Sequence, residues 1–264
     1  MSICYVVLCF NEMDILPFVK QYWEKLEVDK VVVFDNGSTD GSIEYLQQFD
    51  WIEVRHFDSD GQNDIIQKSI KEQAYMEMKD QYDIIIISDM DECFYFNNFK
   101  ALGQRMIDEG YNCLVVPNYA LCEEAKPIYD DEKMLHQLCH MFYKQKLNHM
   151  NGFDELSKVS IFNCKATDKV SMSVGQHYVM TSPRMMVMLS KDGFCLHIDK
   201  GFGIDYKFKV RQKMNDNLSQ TNKNSGMCVE YSKSYEELEK EYVKNQKNSF
   251  DLNKMLFGFC KKLL

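Results

Sequence analysis

The chain of 264 residues contains no run of 18 apolar residues, so no segment reads as a membrane span. Nor does it carry an excess of positive charge. Against 31 Lys and Arg stand 40 Asp and Glu, a formal net charge of −9. A nucleic-acid-binding domain ordinarily presents a basic stripe, so that class of partner is set aside. An acidic chain still takes a phosphorylated ligand where a metal ion or local dipoles offset the charge. The ten cysteines include no CxxC; the nearest in sequence are Cys4 with Cys9 and Cys113 with Cys122. That excludes a zinc ribbon and a thioredoxin-type motif, and dispersed thiols point to a reducing, cytoplasmic location. The amino terminus lacks the basic segment and long apolar core of a signal peptide. Internal repeats, low-complexity tracts and linkers are missing too, which favours one domain over residues 1–264.

Apolar residues make up 45% of the chain, enough to fill a sizeable core and to exclude global disorder. The first hundred residues alternate between two patterns. Residues 3–10 (ICYVVLCF), 30–34 and 84–87 (IIII) are short apolar runs of strand length. Between them, residues 13–26 and 62–80 space their apolar positions as helices do, and 42–49 and 51–57 read as a helix and a strand. Four isoleucines in a row, apolar on both faces, suit a central parallel strand between helices. Strand–helix repetition predicts an α/β fold with a mostly parallel sheet, helices on both faces and right-handed crossovers. Ligands of such sheets bind beyond the carboxyl ends of the strands. There the sequence places Asn11-Glu12, Asp35-Asn36, Asp58-Ser59-Asp60 and Asp89-Met90-Asp91-Glu92. The second half is less regular. Helices are expected at 99–110, 205–220 and 234–262, and strands at 113–117, 158–163, 169–174, 184–189 and 194–198.

The sharpest signal is IIIISDMDE (residues 84–92), a buried strand that delivers Asp89 and Asp91 onto a turn at the sheet edge. Paired carboxylates together with phosphate oxygens are a common way to hold Mg²⁺ or Mn²⁺. The second DxD, Asp58-Ser59-Asp60, follows a weaker strand and precedes Gly61, so it reads as a turn that caps the next helix. Asp60 or Asn63 still borders the expected donor pocket. The loop 35–41 (DNGSTDG) is dense in turn formers, and a carboxylate at Asp35 can accept from a nucleobase N–H.

VVLCFNE (6–12), VVVFDNGSTDGS (31–42) and IIIISDMDE (84–92), in that order, resemble the nucleotide-binding half of a family-2-like glycosyltransferase with the A-type fold. The chain also looks similar to transferases related to family 92, through residues 11–42 and HIDKGFGIDYKFKVRQKMNDNLSQTNKNSGMCVEY from His197 onward. The likeness covers residues 3–100 well and 155–231 loosely. It implies a nucleotide-sugar-binding half (1–100), an acceptor-side half with a smaller sheet (101–232) and a helical tail (233–264). It further implies a UDP-sugar donor, a glycan or lipid-linked acceptor of surface polysaccharide synthesis, and Mn²⁺ or Mg²⁺. By resemblance, Asn11 and Glu12 lie near ribose and base, Asp35 holds the base, and Asp89 and Asp91 hold the cation at the diphosphate. His197 is then a third protein ligand or touches the diphosphate.

Many inverting relatives carry a clear acidic base downstream. The counterparts here are Asp154 and Glu155 in NGFDELSK, with Glu92 as a further candidate that could equally brace the metal loop. His177 is an acceptor-pocket candidate. His136 and His140 have a zinc-like spacing but no HExxH glutamate, so a plain helix face is expected. Lys207, Lys209, Arg211 and Lys213 read as a solvated basic face or as an approach to the diphosphate. Two other functions compete: a haloacid-dehalogenase-like phosphohydrolase, whose DxD belongs on the first strand, and a non-catalytic nucleotide-sugar-binding module. The tail at 250–264 gathers its apolar residues on one helical face. It reads as packing on the core or a partner chain, or as a basic amphipathic contact with an anionic membrane.

Overall fold

The computed structural model of the chain describes residues 1–145 and 156–255. Its first half runs β1 (Ile3–Cys9), α1 (Leu16–Lys25), β2 (Lys30–Asp35), α2 (Ser42–Leu46), β3 (Ile52–His56), α3 (Asp64–Met78) and β4 (Ile84–Asp89). Then follow β5 (Glu92–Phe96), α4 (Phe99–Asp108), β6 (Cys113–Val115), β7 (Asn118–Leu121), α5 (Leu135–Leu138) and β8 (Phe142–Lys144). The remainder comprises β9 (Ile161–Asn163), β10 (Lys169–Met172), β11 (Val179–Ser182), β12 (Val187–Leu189), β13 (Gly193–His197), α6 (Ile204–Asp216), α7 (Gln220–Ser225) and α8 (Tyr235–Lys247).

The expected α/β architecture is what forms. A seven-stranded sheet has the order β12-β6-β9-β4-β1-β2-β3. All its pairs are parallel except those of β9, which runs against both β4 and β6. Strand alternation sorts the apolar side chains to two faces. Tyr5, Val7, Val31, Val33, Ile84 and Ile86 pack with α1 and α4; Cys4, Val6, Val32, Ile85 and Ile87 pack with Ala74, Tyr75 and Met78 of α3. The isoleucine run is fully buried because helices cover it on both sides. A second sheet, β5-β13-β7-β8, and the hairpin β10–β11 carry most of the later strands.

Two expected boundaries move. The helix expected at 205–220 is two, α6 and α7, with Leu218 and Ser219 buried between them. The long helix expected from 234 ends at Lys247, where Asn248 closes it. Phe250, Leu252 and Met255 then pack onto the core, whereas the rest of the expected tail helix lies outside the described residues. No described helix is long and apolar enough to cross a membrane. The nine described cysteines are all free.

Candidate functional site

Register builds the site. Cys9 pairs with Asp35, and Leu8 with Asp89, so the carboxyl ends of β1, β2 and β4 finish side by side. After Asp89 the chain makes a tight turn through Met90 and Asp91 and starts β5 at Glu92. Strand β5 pairs antiparallel with β13, and His197 stands opposite Glu92. That pairing brings the distant histidine beside Asp91. His197 Nε2 lies 3.5 Å from Asp91 Oδ2, and the Ile198 N–H donates to the Asp91 carbonyl at 2.8 Å. Below the turn, the buried Tyr5 hydroxyl is 2.8 Å from Ser88 Oγ and donates to the Glu92 carbonyl at 3.0 Å.

The other ring nitrogen of His197 is also engaged. Nδ1 lies 2.7 Å from Gln145 Oε1, which accepts from Asn118 Nδ2 as well. An amide oxygen only accepts, so Nδ1 carries a proton and Nε2 is the nitrogen left to face Asp91. Burial favours neutral imidazole, yet the Asp91 carboxylate outweighs it and lifts the His197 pKa to about 9. Burial likewise opposes ionised Asp91, but His197 and Lys200 hold its carboxyl below the usual range. Glu12 completes this corner. Its Oε2 accepts from Lys200 Nζ at 2.7 Å, and the same ammonium is 4.0 Å from Asp91. Desolvation nevertheless raises the Glu12 pKa.

Asp89 is disposed differently from Asp91. Its Oδ1 accepts from Lys71 Nζ and its Oδ2 from Lys158 Nζ, each at 2.6 Å. Burial resists its ionisation, but the two lysines hold the carboxyl well below the usual range. The two motif carboxylates therefore do not present equivalent donors to a cation. Asp91 Oδ2 and His197 Nε2 are an oxygen–nitrogen pair 3.5 Å apart, and Nε2 offers a lone pair to a divalent ion only once its proton is released. Among the described residues no group of three or more His, Cys, Asp or Glu forms a complete protein cage.

The loop after β2 is self-contained. Asp35, 5% exposed, accepts from the N–H groups of Gly37 and Ser38 and from the Ser38 hydroxyl. Asn11 adopts φ 56°, and its side-chain oxygen accepts from the Thr39 N–H at 2.8 Å. Asn63, expected to border the donor pocket, is the buried cap of α3. Its oxygen accepts from the Ile66 N–H and its amide donates to Asp60. Asp60 in turn accepts from the Gln220 N–H, so the second DxD holds structure together.

Glu92 does not face an open cleft. It is 3% exposed, its Oε1 lies 3.1 Å from Lys158 Nζ, and its Oε2 accepts from the Asp89 N–H. Of its two expected roles, bracing the turn is the one its surroundings match, because a base needs a path to the acceptor. Asp154 and Glu155 lie outside the described residues. His177 is exposed on the turn between β10 and β11, with its ring against Gly175. His136 and His140 do not share a helix face: His136 is buried against Tyr22, and His140 is exposed near Asp251. The expected basic face of α6 divides. Lys207 and Arg211 turn inward to Asp199, at 2.6 and 3.4 Å, whereas Lys209 and Lys213 are exposed.

No protein-family model and no curated protein matches the chain. Among solved structures, S. aureus TarS is similar with a TM-score of 0.46 and 15% identity, covering 84% of this chain and 41% of that one. TarS 1-349 gives 0.44 and 13%, covering 82% of this chain and 65% of that one. The same fragment in complex with UDP gives 0.44 and 14%. The present chain thus spans about two fifths of the first of these chains, by the 41% coverage.

Proposed function

We propose that the chain is a glycosyltransferase that takes a sugar from a nucleotide-sugar donor, a UDP-sugar, and passes it to a glycan or lipid-linked acceptor in polysaccharide synthesis. One observation carries this reading. At the carboxyl edge of a mostly parallel sheet, the turn after the central strand sets Asp91 against His197, 106 residues away in sequence (197 − 91), by strand register. Such an edge is where α/β folds bind nucleotides.

In this reading Asp91 and His197 hold Mn²⁺ or Mg²⁺. The ion supplies Lewis-acid stabilisation of the charge that develops on the departing nucleoside diphosphate. Asp89 accepts from a donor hydroxyl, and Lys200 adds positive charge beside Asp91 while it fixes Glu12. Asn11, Glu12 and Asp35 border the nucleoside, and His177 lies on the acceptor side. For an inverting displacement, Asp154 or Glu155 takes the acceptor proton as the acceptor oxygen attacks the anomeric carbon. The place of the motif argues against a phosphohydrolase of the haloacid-dehalogenase type, whose DxD follows the first strand, whereas Asp89 ends β4.

The test is nucleotide binding by calorimetry with and without Mn²⁺. Uridine diphosphate should bind more tightly with Mn²⁺, and better than guanosine diphosphate. Asp91→Asn should abolish the metal-dependent gain, and His197→Ala should reduce it while the protein stays folded. Equal binding by the parent and Asp91→Asn would remove the cation from this turn.

A further inference from the structure

Beneath the turn lies a buried charge cluster. Lys158, just before β9, sends Nζ to 2.6 Å from Asp89 Oδ2 and 3.1 Å from Glu92 Oε1. Lys71, on α3, occupies the other Asp89 oxygen and is itself held by Gln176 Oε1 at 3.1 Å. Gln176 is fixed by donating to the carbonyls of Ile87 and Val159. Both lysine side chains are under a tenth exposed, yet 41% of the Asp89 side chain faces solvent. The carboxylate is gripped from within and open outward.

Two consequences follow from charge. Asp89, Asp91 and Glu92 put three carboxylates into four residues, at the edge where a diphosphate would have to approach. An ammonium group shared by Asp89 and Glu92 removes much of that repulsion, and the low dielectric of the interior makes the effect strong. A carboxylate already paired twice is also a poor ligand for a cation, whereas its outward lone pairs can still accept from a hydroxyl.

We propose that Lys158 is a positioning residue of the donor site, which neutralises and orients Asp89 so that Asp89 meets a hydroxyl of the nucleotide sugar rather than the cation. It acts through Asp89 and does not touch the substrate. This inference rests on the donor-site reading above.

Lys158→Met alone would leave Glu92 buried and unpaired, and such a variant can fail to fold. The paired variant Lys158→Met with Glu92→Gln removes both charges together. Uridine diphosphate affinity is measured by calorimetry in EDTA, and Mn²⁺ affinity by electron paramagnetic resonance without nucleotide. The paired variant should bind uridine diphosphate about tenfold more weakly, the scale of a lost charge-assisted contact. It should bind Mn²⁺ at least as tightly as the parent, because Asp89 is then freer to reach the ion. Lys158→Arg should keep the parent's nucleotide affinity. An unchanged nucleotide affinity in the paired variant overturns the inference, and so does a parallel loss of Mn²⁺ binding. A parent chain that binds no uridine diphosphate under any condition overturns the donor-site reading and this inference with it.

Discussion

His136 is buried. Its backbone N–H donates to the Tyr22 hydroxyl at 3.1 Å, and that hydroxyl sits 3.0 Å from Nδ1. Tyr95 and Phe194 pack against the ring. Burial accordingly lowers the imidazole pKa to about 4. Below the unfolded value of about 6.5 the unfolded chain binds a proton that the folded chain refuses. Stability is therefore complete above that pH and is lost as pH falls from about 6.5 to about 4. Urea titrations at pH 7 and pH 4.5 should give the parent about 2 kcal/mol more acid loss than His136→Gln, which keeps an acceptor for Tyr22. Equal acid loss in both proteins would mean that His136 is already charged when folded. At the same scale, some of the candidate site could be read before folding and some could not. Asp89 and Asp91 stood out as a carboxylate pair at the end of a continuous apolar strand, whereas His197 joined them only through the family resemblance. Lys71 left a trace that sequence reading missed, a lysine in register with Ala74, Tyr75 and Met78 on the buried stripe of α3. Lys158 left none, since its partners are 69 and 66 residues away in sequence (158 − 89 and 158 − 92).

The segment from Ile198 to Gly203 is an element without regular structure, held by backbone contacts. Asp199 and Lys200 adopt φ 45° and 54°, a region that side chains rarely occupy. Two features hold them there: Lys207 and Arg211 close on Asp199, and the Glu123 N–H donates to the Gly201 carbonyl at 2.9 Å. A Cβ on Gly201 would stand 2.2 Å from the Leu121 carbonyl oxygen, a backbone atom that cannot turn aside. Gly201→Ala should therefore cost roughly 2 kcal/mol or more by urea denaturation, the scale of overpacking a tight site. It should also weaken Mn²⁺ binding, because the same segment carries Lys200 and follows His197. Full retention of both would show that the loop yields freely. Elements of this kind explain why the second half was harder to read. Strands β1, β2 and β4 announced themselves through continuous apolar runs and emerge within a residue or two of expectation. Strand β5 did not, because its first residue belongs to the acidic motif and only a two-residue turn separates it from β4. In the second half, β6, β9, β10, β12 and β13 form where strands were expected, whereas β7, β8 and β11, three or four residues each, carry too few positions for a period to show.

Across the whole molecule, the anions of the site come from the first half and most of its cations from the second. Glu12, Asp91, Asp89 and Glu92 meet Lys200 and Lys158, while Lys71 is the exception on α3. The central sheet is shared as well, since β9, β6 and β12 extend it beyond β4. Dividing the chain near residue 100 would expose one edge of β4 and leave Glu92 buried without its lysine, a penalty of several kcal/mol. The two halves should then unfold as one cooperative unit. Both tryptophans, Trp23 and Trp51, lie in the first half with ring centroids 6.4 Å apart, so their fluorescence reports on that half alone. Far-UV circular dichroism reports on the helices of both, including α6 and α8. Urea transitions followed by the two signals should coincide in midpoint and slope. A fluorescence transition displaced from the dichroism transition would mean that the halves are independent folding units, and the chain would then count as two domains that share a cleft.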